Sequence, residues 1–548
     1  MRKKNFKKGV SLALTAVMAA SLLAGCGGGG NTSNSASTSS ASGEGDVPTY
    51  TIATVRWTDT WPTDFLESGI MKELEEKHGI NIEWQIYYNS DWAEQKSLLL
   101  ASGDLPDAFL GSITLNASDM AQNKASFLDL TDLINEETMP NLTRVFEEDP
   151  EMKAVCTDRD GKIYSLPKKL PLRPEVCGNI LYINKEWLDN LGLQVPTTYK
   201  ELEDVLEKFV TEDADGDGDP TNEIGFSNAA GTAVMDGDLR TILSPFGTMV
   251  SRANNYMGLN GEGKPVFMPA QENYKEAVQW MHELWEKGIL DPEYFTQDSS
   301  MFTSKKQAEG GSKVGLIHGW TADAEAGANA DQFVPLEAVE GPDGNHYVEN
   351  ASNYLDIADR ELVINKNCEN PEKLLAWADD FYDDLVSLQT MYGSISDGCV
   401  TDNGDGTYTV NEPEDGSSLD TSAWSNSLRD FGPKYMNPDF YDKVSLPEDQ
   451  GDGIKLKEDE INAKYVSDDK NVGFPMVQYT DEELSRLTTL GTDIYKYCEA
   501  QYAHWVVDGG IEEEWDSYIE QLNAMGLEEL VQIQEDAFAA YQAAMSES

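Results

Sequence analysis

Apolar and polar residues after position 48 follow a pattern that changes from strand periodicity to helix periodicity and back. The pattern predicts strands at 50–57, 80–87 and 107–110, with helices at 65–78 and 93–101. This β-α-β-α-β order indicates a parallel sheet with crossover helices, and open sheets of this kind bind ligands outside the carboxyl ends of their strands. The loop after the first strand is therefore a candidate ligand site.

A second run of the same kind begins near residue 179 and predicts a second α/β lobe. It contains a strand at 180–183 and helices at 185–191 and 199–210. The longer helix is preceded by Pro-Thr-Thr at 196–198, a sequence suited to capping its first turn. The expected fold class is α/β with two lobes.

The first 25 residues have the composition of an export signal. Basic residues precede an apolar run at 9–24, which is too short for a comfortable membrane span. The run ends in LLAGC at 22–26, which resembles the lipobox of bacterial lipoproteins. Residues 1–25 are therefore predicted to be a lipoprotein signal peptide, with Cys26 as the lipidated N-terminus. The alternative is an ordinary cleavage site followed by a stray or buried cysteine.

Residues 26–47 are rich in Gly, Ser, Thr, Asn and Ala and carry hardly a charge. This is the composition of a flexible coil, and twenty such residues span roughly 25 Å on average. The segment is predicted to tether a globular body to the membrane through the lipid on Cys26. The expected location is the extracellular face of the cytoplasmic membrane.

The charge balance narrows the range of partners. Among 548 residues, 98 are acidic and 40 are basic, which gives a formal net charge of −58. No basic patch is evident beyond the N-terminus, so the chain should repel phosphate, and nucleic acid is not an expected partner. At 40% hydrophobic residues the chain can bury one or two large cores, and general disorder is not expected.

Five cysteines remain beyond Cys26, namely Cys156, Cys177, Cys368, Cys399 and Cys498. Their odd number and the lack of a CxxC spacing argue against a complete disulfide framework and against a zinc site. Incidental buried thiols are expected, and one bridge remains an alternative.

Short runs along the body of the chain resemble the characteristic sequences of family 1 extracellular solute-binding proteins, the lipoprotein receptors of sugar-importing ABC transporters. These runs are ASGDLPD at 101–107, GKIYSLP at 161–167, LYINKEWL at 181–188, LGL at 191–193 and VPTTY at 195–199. The stretch 509–541 is similar to the longer oligosaccharide-binding branch of that family. The resemblance covers nearly the whole chain after the signal, in spaced blocks.

This resemblance implies a periplasmic-binding-protein-like fold. Two lobes, each a mainly parallel sheet flanked by helices, would close about a hinge on a sugar in the cleft between them. The expected boundaries are 48–170 with a segment near 355–400 for the first lobe, and 171–350 with much of 400–548 for the second. The resemblance further implies a monomeric receptor, not an enzyme, that hands its ligand to the permease subunits of an ABC importer.

Alternating carboxylates predict a structural calcium site. The candidate ligands are Asp213, Asp215, Asp217, Asp219, Asn222 and Glu223. The first three fit the first, third and fifth positions of an EF-hand loop, and Gly218 fits its turn glycine. Glu223 falls one residue short of the closing EF-hand glutamate, so the last ligands are less firmly assigned than the first three. The alternative is a solvated acidic loop, but carboxylates this close repel each other unless a cation neutralises them.

A similar stretch, DNGDGTY at 402–408, receives a different interpretation. Residues 407–410 alternate like a strand, and Asp-Gly is a strong hairpin-turn signal. The stretch is therefore predicted to form a β-hairpin and not a second calcium loop.

Sugar recognition requires flat apolar surfaces for the C–H faces of pyranose rings and polar groups for the hydroxyls. The candidate ligand contacts are Trp57, Asp59, Trp61, Trp92, Ser112, Lys168, Arg173 and Trp320. Most of them follow predicted strands or lie at the probable crossing between lobes. For each single tryptophan, burial in the core is the competing interpretation.

Two other functions are alternatives. A secreted, calcium-stabilised carbohydrate-active enzyme would use paired carboxylates, but 98 acidic residues make chance pairs common and no catalytic motif organises a particular pair. A surface adhesin would also suit a lipid anchor and a calcium loop, but adhesive arrays normally contain repeats, and none is seen. A solute-binding receptor is therefore the preferred interpretation.

Overall fold

The computed structural model describes residues 47–170, 179–229, 239–249, 254–348, 357–465 and 473–546. The predicted signal peptide, the predicted tether up to residue 46, Cys26, Arg173 and Cys177 lie outside the described residues. Within these ranges, no helix combines the length and the apolar composition that a membrane crossing requires.

Strands are distributed along most of the described chain. They are β1 Thr49–Arg56, β2 Asn81–Tyr88, β3 Ala108–Leu110, β4 Leu166–Lys169, β5 Ile180–Asn184, β6 Ile224–Phe226, β7 Met257–Leu259, β8 Pro265–Phe267, β9 Val314–Gly319, β10 Phe333–Pro335, β11 Ile357–Ile364, β12 Val400–Asp402, β13 Tyr408–Val410, β14 Lys434–Tyr435 and β15 Val444–Ser445.

Helices alternate with the strands and then dominate the C-terminal part. They are α1 Gly69–His78, α2 Asn89–Ser102, α3 Ala117–Asn123, α4 Pro140–Glu148, α5 Pro150–Cys156, α6 Lys185–Leu191, α7 Tyr199–Thr211, α8 Leu239–Ile242, α9 Glu272–Glu286, α10 Ser299–Lys306, α11 Ala322–Ala326, α12 Pro371–Asp379, α13 Asp384–Tyr392, α14 Leu419–Asn426, α15 Pro438–Tyr441, α16 Gly451–Ala463, α17 Asp481–Asp508, α18 Ile511–Met525 and α19 Leu527–Ser546. The elements predicted between 50 and 110 and between 180 and 210 are confirmed, with ends that differ by a few residues.

The first large sheet has six strands in the order β14-β4-β11-β3-β1-β2. β1 is parallel to β2 and β3, and β14 is parallel to β4, whereas β11 runs antiparallel to β3 and β4. Every strand except β11 therefore points the same way, and the carboxyl ends of those strands share one border of the sheet. We call this border the carboxyl edge.

The second large sheet has four strands in the order β10-β5-β9-β6. Only β6 and β9 pair in parallel, while β5 is antiparallel to both β9 and β10. The prediction of a mainly parallel sheet is therefore wrong for this lobe. The physical reason is that a short apolar run identifies a strand but carries no information about the direction of its neighbours, which long-range pairing decides.

A smaller three-stranded sheet, β12-β13-β15, lies in the part of the chain that was expected in the second lobe. β12 and β13 are antiparallel with Asp402 opposite Tyr408, which confirms the predicted hairpin. The neighbouring β14 joins the six-stranded sheet of the first lobe. Within the part of 400–548 that was expected mostly in the second lobe, β14 therefore extends the first-lobe sheet, because a two-residue strand carries no local signal for the sheet that it joins.

Two large hydrophobic cores support the two large sheets. One core takes apolar residues from the six-stranded sheet and from the helices packed against it, including α1, α4, α5 and α12. The other joins the four-stranded sheet to α7, α9 and the C-terminal helices α17, α18 and α19. Trp280, Trp377, Trp505 and Trp515 are buried in these cores, and Trp285 is partly buried.

The chain moves between the two sheets in several places. It leaves the six-stranded sheet after β4 and enters the four-stranded sheet at β5, and it returns between β10 and β11. After β14 it passes through α16 to α17, which packs in the core of the four-stranded sheet. The passage that follows β4 starts at the carboxyl edge, and the passage that leads into β11 ends there. The carboxyl edge therefore lies beside the segments that connect the two lobes.

Candidate ligand-binding site

Four aromatic residues gather where β1 ends at the carboxyl edge. Trp61 stacks on Trp424 with the ring centroids 4.8 Å apart and the ring planes 10° from parallel. The Phe431 ring packs against two of the indoles, with its centroid 5.9 Å from that of Trp57 and 5.6 Å from that of Trp424. Trp57 is the most open of the four, with 40% of its surface exposed. We call these four residues the aromatic cluster.

Arg56, the last residue of β1, packs against the aromatic cluster and is hydrogen-bonded to the segment that carries Trp424. Its guanidinium donates to the carbonyl oxygen of Ser427 at 3.3 Å and to that of Trp424. It also lies 5.6 Å from the centre of the Trp424 ring. Burial lowers the pKa of Arg56 to about 10, so the side chain remains charged at neutral pH. The cation thereby fixes both the backbone and the ring of Trp424.

The loop after β3 forms the next part of the carboxyl edge. Gly111 has a φ of +105°, and a Cβ atom there would lie 3.3 Å from the Cβ of Phe431, so both the backbone angle and the space favour glycine. The Ser112 N–H donates to Oε2 of Glu361 at 3.1 Å. The Ser112 hydroxyl oxygen is buried and has no hydrogen-bond partner among the described residues. Asp59 is exposed in the turn that follows β1.

Trp320 follows β9 at the end of the four-stranded sheet and is half-buried. Its ring lies 5.5 Å from Nζ of Lys455 on α16. One turn earlier on that helix, Asp452 accepts two hydrogen bonds from Arg429, each 2.9 Å long. Residues three apart lie on the same face of a helix. α16 therefore brings Trp320 close to the chain segment that carries Phe431.

Two of the predicted ligand contacts lie beneath this surface, and a third is not described. Trp92 is 3% exposed, and its indole N–H donates to the carbonyl of Thr114 at 2.8 Å, so it is a core residue with its polar atom satisfied. Lys168 is fully buried beneath the carboxyl edge, where its Nζ lies 3.4 Å from Glu361. Arg173 lies outside the described residues. The local sequence around Trp92 and Lys168 does not show which side chains other elements will cover.

Two members of the aromatic cluster, Trp424 and Phe431, were missed by the sequence analysis. They are more than 360 positions from Trp57 along the chain and were expected in the other lobe. A weak signal was present: the helix of Trp424 reads LDTSAWSN, and its small polar residues offer few of the partners that a core tryptophan needs. Phe431 carries no such signal, because single apolar residues in loops are common.

A cavity of about 350 Å³ adjoins the β3 loop. Arg360 lines it and donates from Nε to the carbonyl of Leu115, five residues after β3 ends. Lys124 and Tyr164 line the side of the first lobe, while Asn255 and Gln478 belong to segments next to the core of the four-stranded sheet. The cavity thus offers polar groups from both halves of the molecule.

The predicted calcium ligands lie in the loop between α7 and β6. One carboxylate oxygen from each of Asp213, Asp215 and Asp217 lies within 4.8 Å of the other two. Asp219 stands outside this group and accepts hydrogen bonds from the backbone and hydroxyl of Thr221. Three converging carboxylates at this distance are suited to a hard cation such as Ca²⁺.

Glu223 and Asn222 close the loop differently. Glu223 is 8% exposed, and its Oε1 accepts the N–H of Ala214 at 2.9 Å. Its Oε2 is buried without a hydrogen-bond partner among the described residues, and burial raises its pKa. Asn222 donates to Asp217 at 2.8 Å. Glu223, like Asp219, does not belong to the group of three converging carboxylates, so its expected role as a ligand stays a prediction.

Lys313, directly before β9, supplies the positive charge at this loop. Its Nζ lies 2.6 Å from Oδ2 of Asp215 and 3.2 Å from Oδ2 of Asp217. Hydrogen bonds from Asn222 and Lys313 lower the pKa of Asp217. The carboxylates of the loop are therefore partly neutralised by the chain itself.

Comparison with known proteins gives a consistent result. The sequence profile of the family described as bacterial extracellular solute-binding protein matches residues 59–383. The fructooligosaccharide ABC transporter substrate-binding protein FusA of Streptococcus pneumoniae is 31% identical over 508 residues, which covers 88% of each chain. The polygalacturonan/rhamnogalacturonan-binding protein YtcQ of Bacillus subtilis is 24% identical over 485 residues, covering 85% of this chain and 87% of YtcQ.

Solved structures agree with the sequence relatives. FusA in complex with kestose has a TM-score of 0.75 at 29% identity, covering 90% of this chain and 99% of that one. FusA was also solved as an EF-hand mutant in complex with fructo-nystose. An HMO-binding solute-binding protein from Bifidobacterium longum infantis has a TM-score of 0.76 at 27% identity, with 91% and 99% coverage. The predicted two-lobed fold is confirmed, and the chain belongs to the bacterial extracellular solute-binding proteins.

Proposed function

We propose that this protein is a lipid-anchored receptor that captures an oligosaccharide between its lobes and delivers it to an ABC importer. The observation that carries the proposal is the aromatic cluster at the carboxyl edge. Exposed Trp57 offers a flat apolar face, and the stacked pair Trp61 and Trp424 extends it. Such faces suit the C–H side of a sugar ring.

Polar groups near the aromatic cluster suit the hydroxyls of the same ligand. Asp59 is exposed beside Trp57, whereas the Ser112 hydroxyl on the adjoining loop is buried and would have to be uncovered before it could contact a ligand. On the other half of the molecule, Trp320 supplies a further ring. The Tyr182 hydroxyl donates a hydrogen bond of 2.8 Å to the backbone carbonyl of Trp320. Several ring-sized subsites favour an oligosaccharide over a single sugar. The sugars in the names of FusA and YtcQ support the same class of ligand.

Isothermal titration against a panel of oligosaccharides tests the proposal. The panel should include kestose, fructo-nystose, a galacturonan oligomer and a monosaccharide. We expect micromolar or tighter binding of at least one oligosaccharide, and weaker or no binding of the monosaccharide. If none of the oligosaccharides binds, or if hydrolysis products are released from them, the proposed receptor function is refuted.

The Trp57→Ala variant tests the aromatic cluster itself. We expect about tenfold weaker binding, which corresponds to losing roughly 1.4 kcal/mol of stacking and apolar contact. Met301→Ala is the matched control, because Met301 is exposed to a similar degree, 42% against 40%, but lies on α10 away from the cluster in sequence. Equal affinities of the two variants would place the ligand elsewhere.

The lipid anchor rests on the lipobox-like sequence at Cys26. Cys26→Ala, expressed in a bacterial host that processes lipoproteins, should move the protein from the membrane fraction to the medium or the soluble fraction. Palmitate labelling of the wild type and not of the variant would support lipidation at this residue. Membrane retention of the variant would contradict it.

A structural calcium ion in the loop of Asp213, Asp215 and Asp217 is the further part of the proposal. The buried Oε2 of Glu223, which has no hydrogen-bond partner among the described residues, and the existence of an EF-hand mutant of FusA support it. When bound, the ion would neutralise the converging carboxylates and fix the turn between α7 and β6. Calcium should raise the thermal midpoint relative to EDTA-treated protein, and an unchanged midpoint would argue against the site.

A further inference from the structure

The loop that carries Phe431 is held by charged side chains that are completely buried. Lys168 on β4 donates to the carbonyl oxygen of Asp430, and Lys434 on β14 donates to that of Phe431 itself. Glu361 on β11 accepts the N–H of Gly432 at 2.7 Å through Oε2. We call residues 429–433 the Phe431 loop. Backbone groups of three consecutive residues in this loop are therefore hydrogen-bonded to buried charged side chains.

The same carboxylate also holds the loop after β3. Oε2 of Glu361 accepts the N–H of Ser112 at 3.1 Å, in addition to that of Gly432. Its Oε1 lies 3.4 Å from Nζ of Lys168. One carboxylate group thus connects the Ser112 loop, the Phe431 loop and β4 at a single point beneath the carboxyl edge.

Such an arrangement is costly in free energy. All three charged residues have no exposed surface, and the Lys434 ammonium group interacts electrostatically with Lys168 as well as with Glu361 and Asp430. Burial and the neighbouring Lys168 lower the pKa of Lys434 to about 7, which reflects this cost. Buried ion pairs can often be replaced by apolar residues without loss of stability. A role other than stability is therefore needed to explain these charges.

We propose that Glu361, together with Lys168 and Lys434, positions the ligand-binding surface by fixing the Ser112 loop and the Phe431 loop relative to each other. The inference rests on the proposed function, since it assumes that the aromatic cluster binds the sugar. Phe431 contacts both Trp57 and Trp424. A displacement of its loop would therefore disturb the packing of the indole face that the sugar meets.

Two variants of Glu361 separate positioning from general stability. Glu361→Ala removes the acceptor of both N–H groups, whereas Glu361→Gln keeps an oxygen that can accept them. Asp379→Ala is the matched control, because Asp379 is also buried in the first lobe and accepts the N–H groups of Asn141 and Leu142 at 3.0 and 2.9 Å. These two amides lie on α4, outside the Ser112 loop and the Phe431 loop.

Oligosaccharide affinity by titration calorimetry is the first measurement. We expect Glu361→Ala to bind about tenfold more weakly, with most of the affinity restored in Glu361→Gln. Asp379→Ala should lower the thermal midpoint and leave the affinity unchanged. Equal affinities in Glu361→Ala and the wild type, or no rescue by Glu361→Gln, would overturn the inference. If Glu361→Ala does not fold, Lys434→Met takes its place, with weaker binding expected.

Hydrogen exchange in ligand-free protein distinguishes failure of this inference from failure of the proposed function. The amides of Ser112 and Gly432 should exchange at least about tenfold faster in Glu361→Ala than in Asp379→Ala, because each loses its acceptor. Unchanged exchange would overturn the positioning role whatever the ligand is. If the wild type binds no sugar but exchange accelerates as expected, the proposed function fails and the coupling of the two loops stands.

Discussion

At the scale of single residues, Lys434 connects burial to pH. Its ammonium group faces Lys168 and the charges of Glu361, Asp430 and Arg429, and burial is the largest cause of its lowered pKa of about 7. In the unfolded chain a lysine titrates near 10.4. Between these two values the unfolded chain binds more protons, so this residue makes the protein more stable as the pH rises through that range.

The Lys434→Met variant should therefore change stability in a pH-dependent way. We expect the difference in free energy of unfolding, variant minus wild type, to become smaller as the pH rises from 6 to 9, because only the wild type is relieved of a buried charge. Urea unfolding of the variant and the wild type at pH 6 and at pH 9 measures this difference in free energy of unfolding. Lys457→Met is the control, since Lys457 is 55% exposed and its difference should not depend on pH in this range. A constant difference for Lys434→Met would contradict the lowered pKa.

Lys313 is the second residue with a predictable effect, because its ammonium group pairs with two of the proposed calcium ligands. We expect Lys313→Gln to bind calcium roughly fivefold more tightly, since a competing ion pair near the surface is worth about 1 kcal/mol. In EDTA the variant should melt at a lower temperature than the wild type.

Calcium titration by calorimetry and thermal unfolding in EDTA measure both effects. Lys264→Gln serves as the control, because Lys264 is exposed and pairs with Glu262 outside this loop. Weaker calcium binding by Lys313→Gln would mean that the lysine orders the loop for the ion and does not compete with it.

At the scale of elements, α17 shows how local sequence fixes a long helix. Its 28 residues begin with a capping box, in which Thr480 accepts the N–H of Glu483 at 3.2 Å and Glu483 accepts that of Thr480 at 2.7 Å. The helix then contributes residues such as Leu490 and Ile494 to the core of the four-stranded sheet. The cap therefore fixes the residue at which α17 begins, just before the helix enters that core.

Thr480→Ala should lower the free energy of unfolding by about 1 kcal/mol, the usual effect of losing a threonine cap. Chemical denaturation measures the change. Thr489→Ala in the same helix is the control; Thr489 is exposed, and its replacement should stay within about 0.5 kcal/mol of the wild type. Equal effects at the two positions would show that the cap has no special role.

At the scale of the whole molecule, the two-lobed fold predicts a change of shape on binding. A ligand that contacts both lobes shifts the population toward a closed state. The radius of gyration from small-angle scattering should therefore decrease when a bound oligosaccharide is added. Trp57→Ala at the same sugar concentration should compact less. Tight binding without any compaction would place the ligand on one lobe only.

Local chemistry was sufficient for much of the element level. Strand and helix periodicity predicted the elements between 50 and 110, the Asp-Gly turn predicted the hairpin of β12 and β13, and alternating aspartates brought Asp213, Asp215 and Asp217 together as expected. These features depend on residues within a few positions of each other. Periodicity predicted two α/β lobes, and the spaced family motifs added the expectation of a hinge and a cleft between them.

Only the tertiary structure decided which residues reach the carboxyl edge. Trp92 follows a predicted strand as Trp57 does, and Lys168 is expected at the crossing between lobes, but both side chains are buried, while Trp424 and Phe431 arrive from a segment more than 360 residues away. The direction of β5 and the sheet that β14 joins were decided in the same way. Sequence fixes the chemistry and periodicity of each segment; burial, strand direction and the meeting of distant loops depend on long-range packing, which no local pattern records.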